Sequence, residues 1–98
     1  MTTQETNQVK PLFALGKIFA TPDAIEAMNG LAIHPISLLC HHQCGDWGDL
    51  DQDDKEANDS ALNTGSRILS AYQYGQKKFW VISEADRSLT TILLPEEY

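Results

Sequence analysis

Arg67-Ile68-Leu69-Ser70-Ala71-Tyr72-Gln73-Tyr74, Lys78-Phe79-Trp80-Val81-Ile82-Ser83-Glu84 and Leu89-Thr90-Thr91-Ile92-Leu93-Leu94 are three runs rich in β-branched and aromatic residues. Each is short and alternates in character, which is the pattern of strands rather than helices. Only Gly75-Gln76-Lys77 and Ala85-Asp86-Arg87-Ser88 separate them. Connections that short join antiparallel neighbours, so the runs predict a three-stranded meander with Phe79, Val81 and Leu93 or their alternates in the core.

Upstream of Gly65 the period is helical. From Asp51 to Thr64 the only apolar residues are Ala57, Ala61 and Leu62. That narrow stripe predicts a surface helix closed by Gly65. Pro35 opens an earlier helix, with Ile36, Leu39 and Cys40 expected on its buried face and Gly45 and Gly48 in the loop that ends it. Thr21-Pro22-Asp23 supplies a capping hydroxyl, a proline at the first helical position and a first-turn carboxylate, so another helix is expected from Pro22 to Asn29, stopping at Gly30. Leu12 to Ala20 is apolar on both alternating faces except at Lys17 and reads as a mostly buried strand. The order β-α-α-α-β-β-β gives an α+β domain with helices on one face of the sheet.

The chain has 98 residues, 42% hydrophobic and 21% charged. That is enough for one modest core, and the expectation is a single domain over residues 11–98. Residues 1–10 lack an apolar period and are expected to form a mobile tail. No basic start with an apolar run marks a signal peptide and no long apolar stretch marks a membrane span, so a cytoplasmic location is expected. Two cysteines make no disulfide framework.

The net charge is −7, and it is concentrated. Asp46, Asp49, Asp51, Asp53, Asp54, Glu56 and Asp59 supply seven of the fourteen carboxylates, relieved only by Lys55, while the rest of the chain is close to neutral. First-turn carboxylates complement a helix dipole, and a solvated face accounts for part of this run. Its length also suits a basic partner. Asp49, Asp51 and Asp53 alternate as in a calcium loop, but the glycine and the closing glutamate of that loop are missing, with Ser60 in the last place.

Cys40 and Cys44 are four apart, as two zinc ligands on a helix would be, with His41 or His42 to assist. A distant second ligand pair is lacking, so no metal and no cofactor is expected, and Cys40 reads as a small buried residue. His42 with Asp46 and Trp47 close by is a candidate site, since histidine titrates near neutrality and a carboxylate can orient it. The plainer alternative has Asp46 capping a turn, Trp47 anchoring the loop and His42 bonded to a backbone carbonyl. Ser70 and Tyr72 share a strand face with Ile68, so that face mixes polar and core character. Arg87 in its tight turn can pair with Asp86 or Glu84.

Gly45-Asp46-Trp47-Gly48-Asp49-Leu50, Arg67-Ile68-Leu69-Ser70-Ala71-Tyr72, Trp80 to Ser88 and Thr90 to Tyr98 resemble a family of short bacterial proteins known as plasmid-related proteins, found on plasmids and integrated elements. The resemblance runs from Leu12 to Tyr98 and implies a mobile-element protein without an assigned activity. A second, weaker resemblance is to barnase-like endoribonucleases, in which a histidine near a helix end precedes an antiparallel sheet presenting Arg, Ser, Thr and Tyr. It implies catalytic roles for His42, Arg67, Ser70, Tyr72, Arg87 and Thr90: a base, an acid and phosphate-binding cations in metal-free RNA cleavage.

Two functions follow. In the first, the protein binds a basic surface of a host or defence protein through Asp46, Trp47, Asp49, Asp51, Asp53, Asp54, Glu56 and Asp59. In the second it is a small ribonuclease built on His42 and the polar meander, and its negative charge would repel RNA. No membrane partner is expected.

Overall fold

The computed structural model describes residues 10–98; the tail expected over residues 1–10 lies almost wholly outside them. The strands are β1 (Lys17–Ala20), β2 (Ile68–Tyr74), β3 (Lys77–Ser83) and β4 (Leu89–Leu93), and the helices are α1 (Pro22–Gly30), α2 (Pro35–Gln43) and α3 (Gln52–Thr64). They form one four-stranded sheet in the order β1-β4-β3-β2. The β2–β3 and β3–β4 pairs are antiparallel, as the short connections dictate. β1 pairs with β4 in parallel, with α1, α2, α3 and the rest of the meander intervening.

Register assigns each side chain to a face. Tyr72 opposes Phe79, Ser70 opposes Val81, Ile68 opposes Ser83, and Thr90 and Ile92 continue that face on β4. There Phe79, Val81 and Ile92 pack with Ala24 and Met28 of α1 and Leu38 and Leu39 of α2 to make the main core. Leu69, Ala71, Trp80, Ile82, Thr91 and Leu93 share the opposite face. The C-terminal turn leans on that side, with Tyr98 meeting Trp80 edge-on at 5.6 Å between ring centroids.

Three expectations about burial need correction. Of Leu12 to Ala20, only Lys17–Ala20 is strand, and it is a sheet edge in which Ile18 and Phe19 stay about half exposed. Gly16 breaks the run: its φ of +67° suits glycine, and its backbone passes so close to Arg87 and Ser88 that a Cβ would clash. On α2 the inward residues are Leu38, Leu39 and His42, while Ile36 and Cys40 are exposed. The four-residue spacing of 38 and 42 sets that face, and the apolar letters of Ile36 and Cys40 misled. On α3, Ala57 is exposed and Asn58 is buried beside Ala61.

The helix caps follow the local sequence. Thr21 Oγ1 accepts from Ala24 N, Asp51 Oδ1 accepts from Asp54 N, and Gly65 closes α3 in the left-handed conformation. His34 caps α2 through Nδ1, accepting from Ile36 N at 3.2 Å.

β2 is the other sheet edge, and it is covered. Trp47 and Asp49 flank a parallel bridge between Gly48 and Ala71, with Ala71 N donating to Trp47 O and Asp49 N to Ala71 O. Asn58 extends the cover like an extra strand residue, its Nδ2 donating to Leu69 O and its Oδ1 accepting from Leu69 N. Asp49 Oδ2 then accepts from Gln73 N. Gly48 makes the approach possible, because a Cβ there would overlap the Ala71 carbonyl and the Tyr72 ring, whereas Gly65 faces open space at almost the same φ. Gly48→Ala is therefore expected to destabilise the fold by clearly more than Gly65→Ala, by roughly 2 kcal/mol or more against about 1. Urea unfolding of the two variants checks this, and equal losses would show that the close approach contributes nothing.

Candidate functional site

His42 is fully buried at the end of α2, where it meets the three strands of the meander. Its Nδ1 lies 2.6 Å from Ser70 Oγ and its Nε2 lies 3.0 Å from Ser83 Oγ. Ser83 Oγ lies 2.6 Å from Thr90 Oγ1, which donates to Leu15 O at 2.8 Å. The carbonyl at the end orients the whole chain. Thr90 has used its proton on Leu15, so it accepts from Ser83; Ser83 has then used its own and accepts from His42 Nε2–H; Nδ1 is left to accept from Ser70. His42 is thus a neutral imidazole with a defined tautomer, and every hydroxyl in the chain is satisfied.

Burial lowers the His42 pKa from 6.5 to about 4, and the nearby Arg87 guanidinium lowers it in the same direction. Phe13 packs edge-on against the ring at 5.2 Å and Trp47 at 6.1 Å. A base that takes a proton from a substrate needs an exposed lone pair, and His42 offers none in this structure.

Of the six residues proposed for catalysis, His42, Ser70 and Thr90 share this network, and Ser83 joins them. Tyr72 starts a separate bond, its hydroxyl donating to Asp46 O at 2.6 Å, and burial pushes its phenol above the usual range. Arg67 stands apart on the surface, donating to Tyr98 Oη at 2.6 Å, with Glu84 at 3.7 Å. Arg87 pairs with neither Asp86 nor Glu84 through a carboxylate. Its Nη1 donates to the carbonyls of Ser66, Glu84 and Ala85, and its Nη2 to Ala61 O. The bonds to Ala61 and Ser66 tie the α3 end to the β3–β4 turn, and the guanidinium also lies over the Phe13 ring at 5.4 Å.

The acidic residues divide into two groups. Asp46 pairs with His41 Nδ1 at 2.9 Å and accepts from Gly48 N, Asp49 holds the β2 edge, Asp51 caps α3, and Asp59 accepts from Trp47 Nε1 at 2.9 Å. Trp47 is buried and belongs to a small second core with Ala61 and Ile68. Asp53, Asp54 and Glu56 face solvent, and among the described residues none of them has a cation within ion-pair distance. Of these three, Asp54 borders a groove of about 280 Å³ between α3 and the outer sheet face, lined also by Leu50, Ala57, Asn58, Leu69 and Trp80. Neither Asn58 nor Trp80 was a candidate from sequence. Strand alternation already puts Trp80 opposite in facing to Phe79 and Val81, and Asn58 shares the helical stripe of Ala61 and Leu62.

Cys40, His41, Cys44 and Asp46 border a separate open hollow of about 560 Å³. Among the described residues no group of three His, Cys, Asp or Glu side chains is placed to hold a metal ion. No helix there is long and apolar enough to cross a membrane. Comparison of the chain with family models, with curated proteins and with solved structures finds no match.

The His42 network makes stability depend on pH in a defined window. The folded state keeps the imidazole neutral down to about pH 4, while the unfolded chain protonates it near 6.5. Between those values the unfolded state binds more protons, so its contribution is full above pH 6.5 and falls as the pH drops toward 4. The loss expected is on the order of 3 kcal/mol, read by urea unfolding at pH 7 and pH 4.5. His42→Gln, which keeps one donor and one acceptor, should flatten that dependence; an unchanged profile would mean that another group titrates.

Proposed function

We propose that this protein is a binding protein that receives a basic segment of a host or defence protein along α3. The observation that carries this reading is the apolar groove of Leu50, Leu69 and Trp80, which Asp54 also lines, on a helix whose exposed Asp53, Asp54 and Glu56 no cation of the described chain neutralises. A groove offers an anchoring pocket for one apolar side chain, and Asp54 at its wall with the other carboxylates of the α3 surface favours lysines or arginines in the segment that carries that anchor. Half-buried Trp80 is the residue type that most often dominates such anchors. The resemblance to plasmid-related proteins adds the setting, a mobile element acting on its host.

The carboxylates with structural tasks do not weaken this reading. Asp46, Asp49, Asp51 and Asp59 remain exposed after making their bonds, so they still add to the negative field over α3. Trp47 supports the surface from below and does not line it.

Reversing Asp53, Asp54 and Glu56 to Lys tests the proposal. The two first-turn aspartates complement the α3 dipole, so the triple variant should lose about 1–2 kcal/mol of stability and stay folded. Capture of a partner from host lysate should disappear, and capture by the wild type should fall steeply with salt, as screened charge pairs do. Trp80→Ala should weaken capture and leave the salt dependence unchanged. Capture indifferent to both changes, or RNA cleavage by the wild type that is lost in His42→Ala, would overturn the binding role.

A further inference from the structure

The two edges of the sheet are treated differently. Asn58, Trp47 and Asp49 cover β2, while among the described residues nothing pairs with the outer side of β1. In the β1–β4 ladder, Lys17 N donates to Ser88 O and Thr21 N donates to Ile92 O, both at 3.0 Å. Parallel bonds alternate along a strand, so Lys17, Phe19 and Thr21 turn their peptide groups toward β4, and Ile18 and Ala20 turn theirs outward. Those outward groups sit between side chains that are unusual for an open edge, since Ile18 is 50% and Phe19 51% exposed. An edge of this kind is a template for another strand.

We infer that the occupant is a second copy of this chain, joined β1 to β1 in antiparallel fashion about a two-fold axis at Phe19. Only this register uses all of the short strand. It sets Ile18 against Ala20 of the other copy on both sides of the axis, giving about four backbone hydrogen bonds between chains. A register centred on Ile18 would need Gly16, whose positive φ has already left the strand, and one centred on Ala20 would need Pro22, which has no N–H.

Side chains agree with the backbone. Phe19 meets its own counterpart in a non-hydrogen-bonded pair on the outer face, the closer of the two antiparallel pairings. Lys17 lies opposite Thr21 of the other copy, and Thr21 Oγ1 donates to Glu97 Oε1 at 2.7 Å. Each Lys17 ammonium therefore faces a carboxylate on the partner copy, twice by symmetry. The acidic run of residues 46–59 does not enter the contact, because α3 lies against β2 at the far edge; the carboxylates at the β1 end are Glu97, bonded to Thr21, and Asp23 in the first turn of α1. The result is a continuous eight-stranded sheet with an acidic groove at each end. This inference stands apart from the binding role of that groove.

Sedimentation of the full chain over a concentration series tests it, with Ile18→Pro as the first variant. The Ile18 N–H points away from β4, so proline there leaves the internal ladder whole while removing an intermolecular donor and crowding the edge. The wild type should show a monomer–dimer equilibrium and a melting temperature that rises with protein concentration, and Ile18→Pro should be a folded monomer whose melt does not depend on concentration. Phe19→Cys, in a chain carrying Cys40→Ser and Cys44→Ser, should oxidise to a disulfide dimer, because the paired position brings the two Cβ atoms within bonding range. Lys17→Glu should weaken dimerisation by about tenfold or more and flatten its salt dependence. A wild type that stays monomeric at millimolar concentration overturns the proposal. So does a dimer that survives Ile18→Pro without the Phe19→Cys cross-link, or one that forms only after residues 1–9 are removed, which would make that segment the occupant of the edge.

Discussion

The bond between His42 and the hydroxyls of Ser70 and Ser83 is the constraint on which the rest of the fold depends. A histidine in a dry interior is tolerated only when both ring nitrogens are satisfied, and here one residue from α2 is answered by residues from β2 and β3, with Thr90 of β4 and the Leu15 carbonyl completing the chain. Apolar contacts alone would let α2 slide or turn on the sheet at small cost, since Leu38 and Leu39 pack against many surfaces equally well. The hydrogen bonds remove that freedom. They fix the rotation of α2, and through it the starting point of the Cys44–Leu50 segment that crosses to the β2 edge.

From that starting point the acidic surface is assembled. Trp47 enters the second core and reaches Asp59, Gly48 lets the backbone approach β2, and Asp49 and Asn58 satisfy the remaining edge groups. The helix α3 is thereby held beside the outer face of the sheet although it buries little apolar surface of its own. Arg87 secures its other end by donating to Ala61 and Ser66 carbonyls. Its backbone has φ of +59°, a conformation that costs about 1 kcal/mol for a side chain other than glycine, and the four carbonyl contacts of the guanidinium offset it. The result is a rigid acidic platform with a groove beside it.

The asymmetry between the two sheet edges gives the molecule a direction. One edge is closed by side-chain and backbone groups of the chain itself, and the other presents backbone groups between Ile18 and Phe19. The acidic run from Asp46 to Asp59 lies toward the closed edge, while the open edge carries Lys17 together with Glu97 held on Thr21. A self-association at β1 and a heterologous contact at α3 can therefore coexist, each at its own end of the sheet.

The amino-acid sequence by itself determined the order of elements, the antiparallel meander, the cap at Thr21, the closure of α3 at Gly65, and the location of the acidic run. All of these rest on interactions within a few residues or on the alternation of one segment, which are physical properties of short stretches of chain. The tertiary structure alone decided that β1 is a parallel edge strand, that α2 turns Leu38 and His42 inward while Cys40 looks out, and that Ser83 and Asn58 matter. Each of those outcomes depends on a partner far along the chain: Leu89 to Ile92 for β1, Ser70 and Ser83 for His42, Leu69 for Asn58. Polar letters in apolar positions at 42, 70, 83 and 90 were visible in the sequence. That they satisfy one another, so that a residue suited to acid–base chemistry became a neutral strut, follows only from their meeting in space.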